Sequence, residues 1–216
     1  MTGLRERKKE QTRQLIAETA RQLFGERGFD RVTVAEVARA ADVSEQTVFN
    51  YFPTKEDLVY WRLGSFEEEL LATIRERAPG ESALRAFSRF VSAPRGLLGS
   101  HDAAARERLA ALTRTITESP ALLAREQQIF ARYTVNLATL LAEEQGAAEG
   151  DVEPWVVANA MMGVHRALVD FSRRRIVAGT PHTRVAREIR TQAERAVARL
   201  EQGLGDYAVK QPPRDS

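Results

Sequence analysis

The sequence predicts an all-α protein, on three observations. Apolar residues recur at i, i+3, i+4 and i+7 along nearly all of the 216 residues, and no run alternates apolar with polar side chains. Ser, Thr or Asp stands ahead of these stripes and Gly or Pro behind them, as helix start and stop signals do. No segment repeats at a fixed period, which sets solenoids and propellers aside.

The first helix is expected from about Arg5 to Arg27, with Ile16, Ala20, Leu23 and Phe24 on one buried stripe. Gly28 follows where a left-handed residue is wanted, and Phe29 folds back over the last turn. Thr33 and Glu36 have the spacing of a capping box, with Val32 and Val37 as a hydrophobic staple outside it. The second helix presents Val34, Val37, Ala38 and Ala41 and ends near Asp42. After a tight turn Ser44 caps a third helix, which Pro53 ends; Val43 and Val48 repeat the staple. Thr54 and Asp57 frame a fourth start, and that helix is predicted through about Arg77, where Pro79-Gly80 breaks it.

Five more helices are expected at about 82–93, 102–118, 120–145, 152–178 and 181–204, about nine in all. Their breaks are Pro94-Arg95-Gly96, Ser119-Pro120, Gly146 to Gly150 and Gly179-Thr180-Pro181. Asp102, after His101, is a cap for the 102–118 helix. The predicted architecture is an N-terminal three-helix helix-turn-helix domain, 1–53 with the motif at about 33–52. A helical effector-binding and dimerisation domain follows at 54–205, and then a disordered tail at 206–216.

Formal net charge is only +2, but Arg5, Arg7, Lys8, Lys9 and Arg13 crowd the N-terminus against Glu6 and Glu10. Such an arm suits a phosphate backbone. With no Cys, disulfides, thiolate nucleophiles and zinc–thiolate sites are excluded. No apolar run approaches the ~18 residues of a membrane span, and Met1 to Arg13 is polar throughout, unlike a signal peptide. A cytoplasmic protein without a membrane partner is expected.

Two short helices joined by a tight turn and packed on a longer one describe a helix-turn-helix unit. Val48 and Phe52 are placed to pack inward from the third helix, leaving Glu45, Gln46, Thr47 and Asn50 on its outer first turns, where this motif meets base edges. Thr47, Tyr51 and Lys55 are expected on phosphate oxygens, and Thr33 at the start of the second helix. Arg7, Lys8 and Lys9 of the arm, with Ser44 and Phe49, complete the set assigned to double-stranded DNA.

The stretch from about Gln14 to Val59, with "VTVAEVARAADVSEQTVFNYFPTKEDLV" at its heart, resembles the TetR-like family of transcriptional repressors. Two departures stand out. The family usually has Gly in the turn, where this chain has Asp42, a residue that visits the left-handed region at some cost. The family often has Tyr at the position of Phe49; a phosphate contact through that hydroxyl is absent, and Tyr51 is the candidate to compensate. The resemblance implies a homodimer on a near-palindromic operator. It fades after Leu63.

Beyond that point the residues are read on their own. The helix from Val152 is apolar nearly all round, through Trp155, Val156, Ala158, Met161, Met162, Val164, Leu168, Val169 and Phe171, so it is buried on several sides. The last helix carries one stripe. A dimer seam is expected from Trp155, Val185, Ile189, Ala193, Ala196 and Leu200. An effector pocket is expected from Phe87, Phe90, Phe130, Tyr133, Asn159, Met162, His165 and Arg166, taking an apolar or aromatic small molecule with a carboxylate or acyl group near Arg166.

His101, His165 and His182 are far apart, and none has ligand spacing to a second His or a carboxylate, so no metal or other cofactor is expected. There is no Gly-rich phosphate loop, nucleophile elbow or H-E-x-x-H, so no enzyme is expected. The expected function is a ligand-responsive DNA-binding regulator, a repressor released by its effector. The alternatives are an activator or corepressor-type regulator of the same fold, and a helical ligand-binding protein without DNA binding.

Overall fold

The computed structural model describes residues 2–61, 63–93, 102–204 and 209. Among them are ten helices: α1 (Thr2–Arg27), α2 (Val34–Ala40), α3 (Glu45–Tyr51), α4 (Asp57–Tyr60), α5 (Leu63–Arg75), α6 (Ala83–Ser92), α7 (Ala103–Glu118), α8 (Pro120–Gln145), α9 (Glu153–Val177) and α10 (His182–Leu204). The only β pairing among the described residues is an isolated bridge between Ser82 and Val209. The fold is all-α. The break at 94–96, His101 and nearly all of the 206–216 tail lie outside the described residues.

One expectation fails in detail. The single helix predicted from Thr54 to Arg77 is two, α4 and α5. The burial pattern changes between them: α4 buries Leu58, Val59 and Tyr60 in succession, whereas α5 buries a stripe of Glu67, Leu70 and Ile74. Arg77 does not extend α5 but caps it. Its buried guanidinium donates to the carbonyl of Ile74 at 2.6 Å and of Glu81 at 3.1 Å, and pairs with Glu144 at 2.7 Å.

The chain divides into two compact units, 1–64 with 111–126 and 65–110 with 127–216. The first therefore runs past residue 53. α4 packs on α1, Tyr60 donates its hydroxyl proton to the Leu122 carbonyl at 3.0 Å, and Arg125 grips Asp57 at 2.7 Å. The core of this unit is Ile16, Ala20, Phe24, Val37, Val48, Phe52 and Leu58. Phe29 meets Phe24 edge-on at 4.9 Å, directly after Gly28, whose φ of +85° admits the fold-back.

In the second unit α10 lies on α6 and α9. Val185, Ile189, Ala193 and Val197 are its buried stripe, and Phe87, Phe90 and Met162 are buried on the helices it packs against. From α8, Phe130, Tyr133, Leu137 and Leu141 join them. Buried Glu67 of α5 is matched by Arg132 at 3.1 Å and by the Asn136 amide, so its charge is paired.

Candidate nucleic-acid interface and ligand cavity

The helix-turn-helix is fixed by its caps. Thr33 and Glu36 form the capping box: the Thr33 hydroxyl accepts from the Glu36 N–H at 3.2 Å, and the Thr33 N–H donates to the Glu36 carboxylate at 2.8 Å. The same hydroxyl donates to that carboxylate at 3.0 Å, and Arg27 adds a bond at 2.7 Å. The Thr33 backbone bond and then the Arg27 guanidinium hold the Glu36 carboxyl down at about 2. The Thr33 hydroxyl is therefore engaged on both sides by α2. Asp42 takes a φ of +54° in the turn, so the residue standing where Gly is usual does adopt the left-handed conformation. Ser44 then caps α3 by accepting from the Thr47 N–H at 3.1 Å, and the two hydroxyls share a bond of 2.8 Å.

α3 has two faces. Val48 is buried, as is its C-terminal neighbour Phe52, with the Arg13 guanidinium 5.7 Å from the Phe52 ring. Glu45, Gln46, Phe49 and Asn50 are exposed; Thr47 and Tyr51 are partly covered. Gln46 donates to the Asn50 side-chain carbonyl at 3.1 Å, which clips the two amides together one turn apart. Phe49 is 44% exposed beside them. An aromatic ring is left in water next to paired amides, the inventory that reads adenine edges and thymine methyls. Arg7, Lys8 and Lys9 are exposed on α1.

Lys55 has a partner within the chain. Its ammonium, expected on a phosphate, donates to the Phe29 carbonyl at 2.6 Å and sits 4.1 Å from the centroid of the Phe29 ring. Desolvation lowers its pKa. It is a strut tying the start of α4 to the end of α1, and its charge already has a partner.

The second unit contains a cavity of about 200 Å³. Phe66 of α5, Phe90 to Ser92 of α6 with Ala93, His165, Leu168, Val169 and Ser172 of α9, and Ala186 and Ile189 of α10 form its wall. His165 is stacked on Phe66 at 4.6 Å and meets Phe130 edge-on at 5.3 Å. This desolvation, and then the charge of neighbouring Arg166, push its pKa down to about 4, so the imidazole is neutral near pH 7.

Of the residues expected in a pocket, Phe90 and His165 line this cavity. Phe87, Phe130, Tyr133 and Met162 are core, and the Asn159 amide turns outward to the Trp155 carbonyl at 2.8 Å. Arg166 is not on the wall. Phe66, Ser92 and Ser172 were not anticipated; Ser92 closes the aromatic stripe of α6 and was the one legible hint. The residues expected in a dimer seam are mostly covered within the single chain. Val185, Ile189 and Ala193 are buried in their own unit and Ile189 faces the cavity, whereas Ala196 and Leu200 are half-buried. Only Trp155 of that set is exposed. The reason is that a single amphipathic stripe names a buried face and not the surface that buries it. No group of three metal-ligating side chains occurs among the described residues, and no described helix is long and apolar enough to cross a membrane.

A capped helix-turn-helix with an uncovered polar and aromatic face defines the class: a DNA-binding regulator. Residues 16–60 match the family described as "Bacterial regulatory proteins, tetR family". The chain is 28% identical over 169 residues to the HTH-type transcriptional regulator TcmR of Streptomyces glaucescens, covering 77% of this chain and 75% of that protein. Among solved structures it is similar in fold to the transcriptional regulator FadR from Bacillus subtilis in complex with stearoyl-CoA, with a TM-score of 0.55 and 20% identity over 86% of this chain and 97% of that one. It is also similar to NalD, the secondary repressor of the MexAB-OprM multidrug efflux pump in Pseudomonas aeruginosa, with a TM-score of 0.52 and 19% identity over 90% and 96%. These relatives are transcriptional regulators and not enzymes.

Proposed function

We propose that this chain is a cytoplasmic, homodimeric repressor that leaves a near-palindromic operator when a small apolar or aromatic molecule occupies the cavity of its second unit. The observation that carries this reading is the division of labour. The first unit holds the uncovered Gln46, Phe49 and Asn50 face, and the second holds the cavity. The chain crosses from one unit to the other within α5, within α7 and within α8. A ligand that favours one arrangement of the second unit therefore has continuous helices through which to bias the first, provided its affinity for two arrangements differs.

Dimerisation is supported by α9. Val152, Trp155 and Val156 are 69%, 45% and 59% exposed and share one face. An apolar cluster of this kind on a water-facing helix fits a partner surface. Arg7, Lys8 and Lys9, with the exposed α3 face, then supply two copies of one DNA-contacting surface.

The test is selection of bound fragments from genomic DNA by the purified chain, followed by titration of the recovered duplex at several salt concentrations. A repressor of this kind gives a near-palindromic site, affinity that falls with salt, and a reporter that is off until an effector is added. Binding that never exceeds that to random DNA would remove the proposal, and a reporter switched on by the protein would reverse its sign.

A further inference from the structure

Among the described residues, the cavity wall carries apolar and aromatic groups, two serines and one histidine, and no Lys, Arg, Asp or Glu. The serines differ. The Ser172 hydroxyl donates to the Val169 carbonyl at 2.7 Å, so its proton is engaged by its own helix. The Ser92 oxygen is buried from solvent and has no hydrogen-bond partner. A buried hydroxyl left unpaired destabilises the fold, and such a group in a native protein calls for a partner. Ser92 is the last residue of α6 and is one of the residues lining the cavity. His165 stands on the same wall and offers one donor and one acceptor while neutral.

We infer that this cavity takes an uncharged, single-ring-sized organic molecule bearing one hydrogen-bond acceptor, a carbonyl or hydroxyl oxygen, which accepts the Ser92 O–H. This rests on the reading of the cavity as the effector site and names the class of effector. Size sets the first limit. An apolar cavity of about 150 Å³ holds benzene, so about 200 Å³ admits a ring with a short substituent. Charge sets the second. Among the described residues no cation lines the wall, so a carboxylate seated against Phe66, Phe90, Leu168 and Ile189 finds no charged partner there. Protonating His165 to meet the anion works against the desolvation by Phe66 and Phe130 that holds it neutral. The acceptor sets the third: a purely apolar ligand leaves the Ser92 hydroxyl as orphaned as before.

The test uses the full chain and three probes with equal numbers of heavy atoms: acetophenone, cumene and benzoate. Binding is measured by titration calorimetry, with and without an operator duplex, on the wild type, Ser92→Ala and Ile189→Trp. Acetophenone is expected to bind wild type at least tenfold more tightly than benzoate. Ser92→Ala, a small change that keeps the fold, is expected to weaken acetophenone by about threefold to tenfold, the range of one net hydrogen bond, and to leave cumene unchanged or tighter. Ile189→Trp fills the space and is expected to abolish binding of both; a thermal melt checks its fold, and Ala186→Phe does the same from the neighbouring position.

The outcomes separate the two ideas. If benzoate binds best and Ile189→Trp or Ala186→Phe removes it, the cavity is the site and the class proposed is wrong. If Ser92→Ala affects acetophenone and cumene equally, the acceptor assignment is wrong. If no probe binds at millimolar concentration, or binding survives in both folded filling variants, the reading of the cavity as an effector site falls with it.

Discussion

The Lys55 ammonium stands 2.6 Å from the Phe29 carbonyl and 4.1 Å from the centroid of the Phe29 ring, so one cation closes the end of α1 against the start of α4. It also lies 5.8 Å from the Phe24 ring. Phe29 is there because Gly28 turns left-handed. This small aromatic box is a structural use of a residue whose motif position alone suggests a phosphate contact.

Lys55→Met keeps most of the stem and deletes the bond. It is expected to destabilise the first unit by about 1.5–3 kcal/mol, the range for a hydrogen bond involving a charged group. A denaturant melt without DNA measures it. A variant that melts like wild type yet binds DNA weakly would return Lys55 to the phosphate role.

Readout is expected from the outer face of α3. Gln46→Ala should cost about 1–3 kcal/mol on the preferred operator and less on other sequences. Because Asn50 holds the Gln46 amide at 3.1 Å, the two are expected to act as a unit, so Gln46→Ala and Asn50→Ala should be less than additive. Phe49, 44% exposed, is expected to touch a thymine methyl. Replacing that thymine by deoxyuridine should then weaken wild type by about 0.8 kcal/mol and leave Phe49→Ala indifferent. Fluorescence anisotropy over a set of single-base operator variants reads all three.

The capping box makes the first unit sensitive to acid. The Glu36 carboxyl is held at about 2 in the folded chain, against an ordinary value of 4.5. A depressed carboxylate contributes stability that is present above its unfolded value and is lost as pH falls through the folded one. The contribution of Glu36 should therefore be complete above about pH 5 and vanish towards pH 2. Glu36→Gln should flatten that part of the profile, and Thr33→Ala should cost about 1 kcal/mol at neutral pH through loss of the cap. Melting curves from pH 7 to pH 2 compare the three proteins; a parallel fall in wild type and Glu36→Gln would dismiss the idea.

What could be read from sequence follows from where the information is local. The Thr33–Glu36 and Ser44–Thr47 caps, the Asp42 turn and the inward Val48 and Phe52 are settled by neighbours within a few residues, and the structure has them as expected. The break between α8 and α9 and that between α9 and α10 follow the same logic. Partners separated by long stretches of chain are invisible in periodicity. Nothing local pairs Asp57 with Arg125, Glu67 with Arg132 or Lys55 with Phe29. The apolar stripe of α10 was visible, but whether α6, α9 or a second copy covered it was not. Ser92 becomes notable only once its hydroxyl is seen to have no partner.

Ile189 is buried beside the cavity within its own unit, so Ile189→Glu should leave an unpaired buried charge and unfold the second unit instead of parting two intact subunits. The surface that remains for a partner is the exposed face of α9 with Val152, Trp155 and Val156. Trp155→Glu with Val156→Glu places two charges on that exposed face. The double variant is expected to melt like the wild type at low protein concentration and to sediment as a monomer. Two heads on one dimer make the second DNA contact effectively intramolecular, with half-sites about one helical turn apart. The monomer should therefore bind the operator at least ~100-fold more weakly, while a single half-site is bound equally well by both proteins. Sedimentation and a gel-shift titration on full and half operators measure this together. A variant that remains dimeric would move the interface away from α9. A monomer that binds the full operator at wild-type strength would leave no place for paired heads in the mechanism.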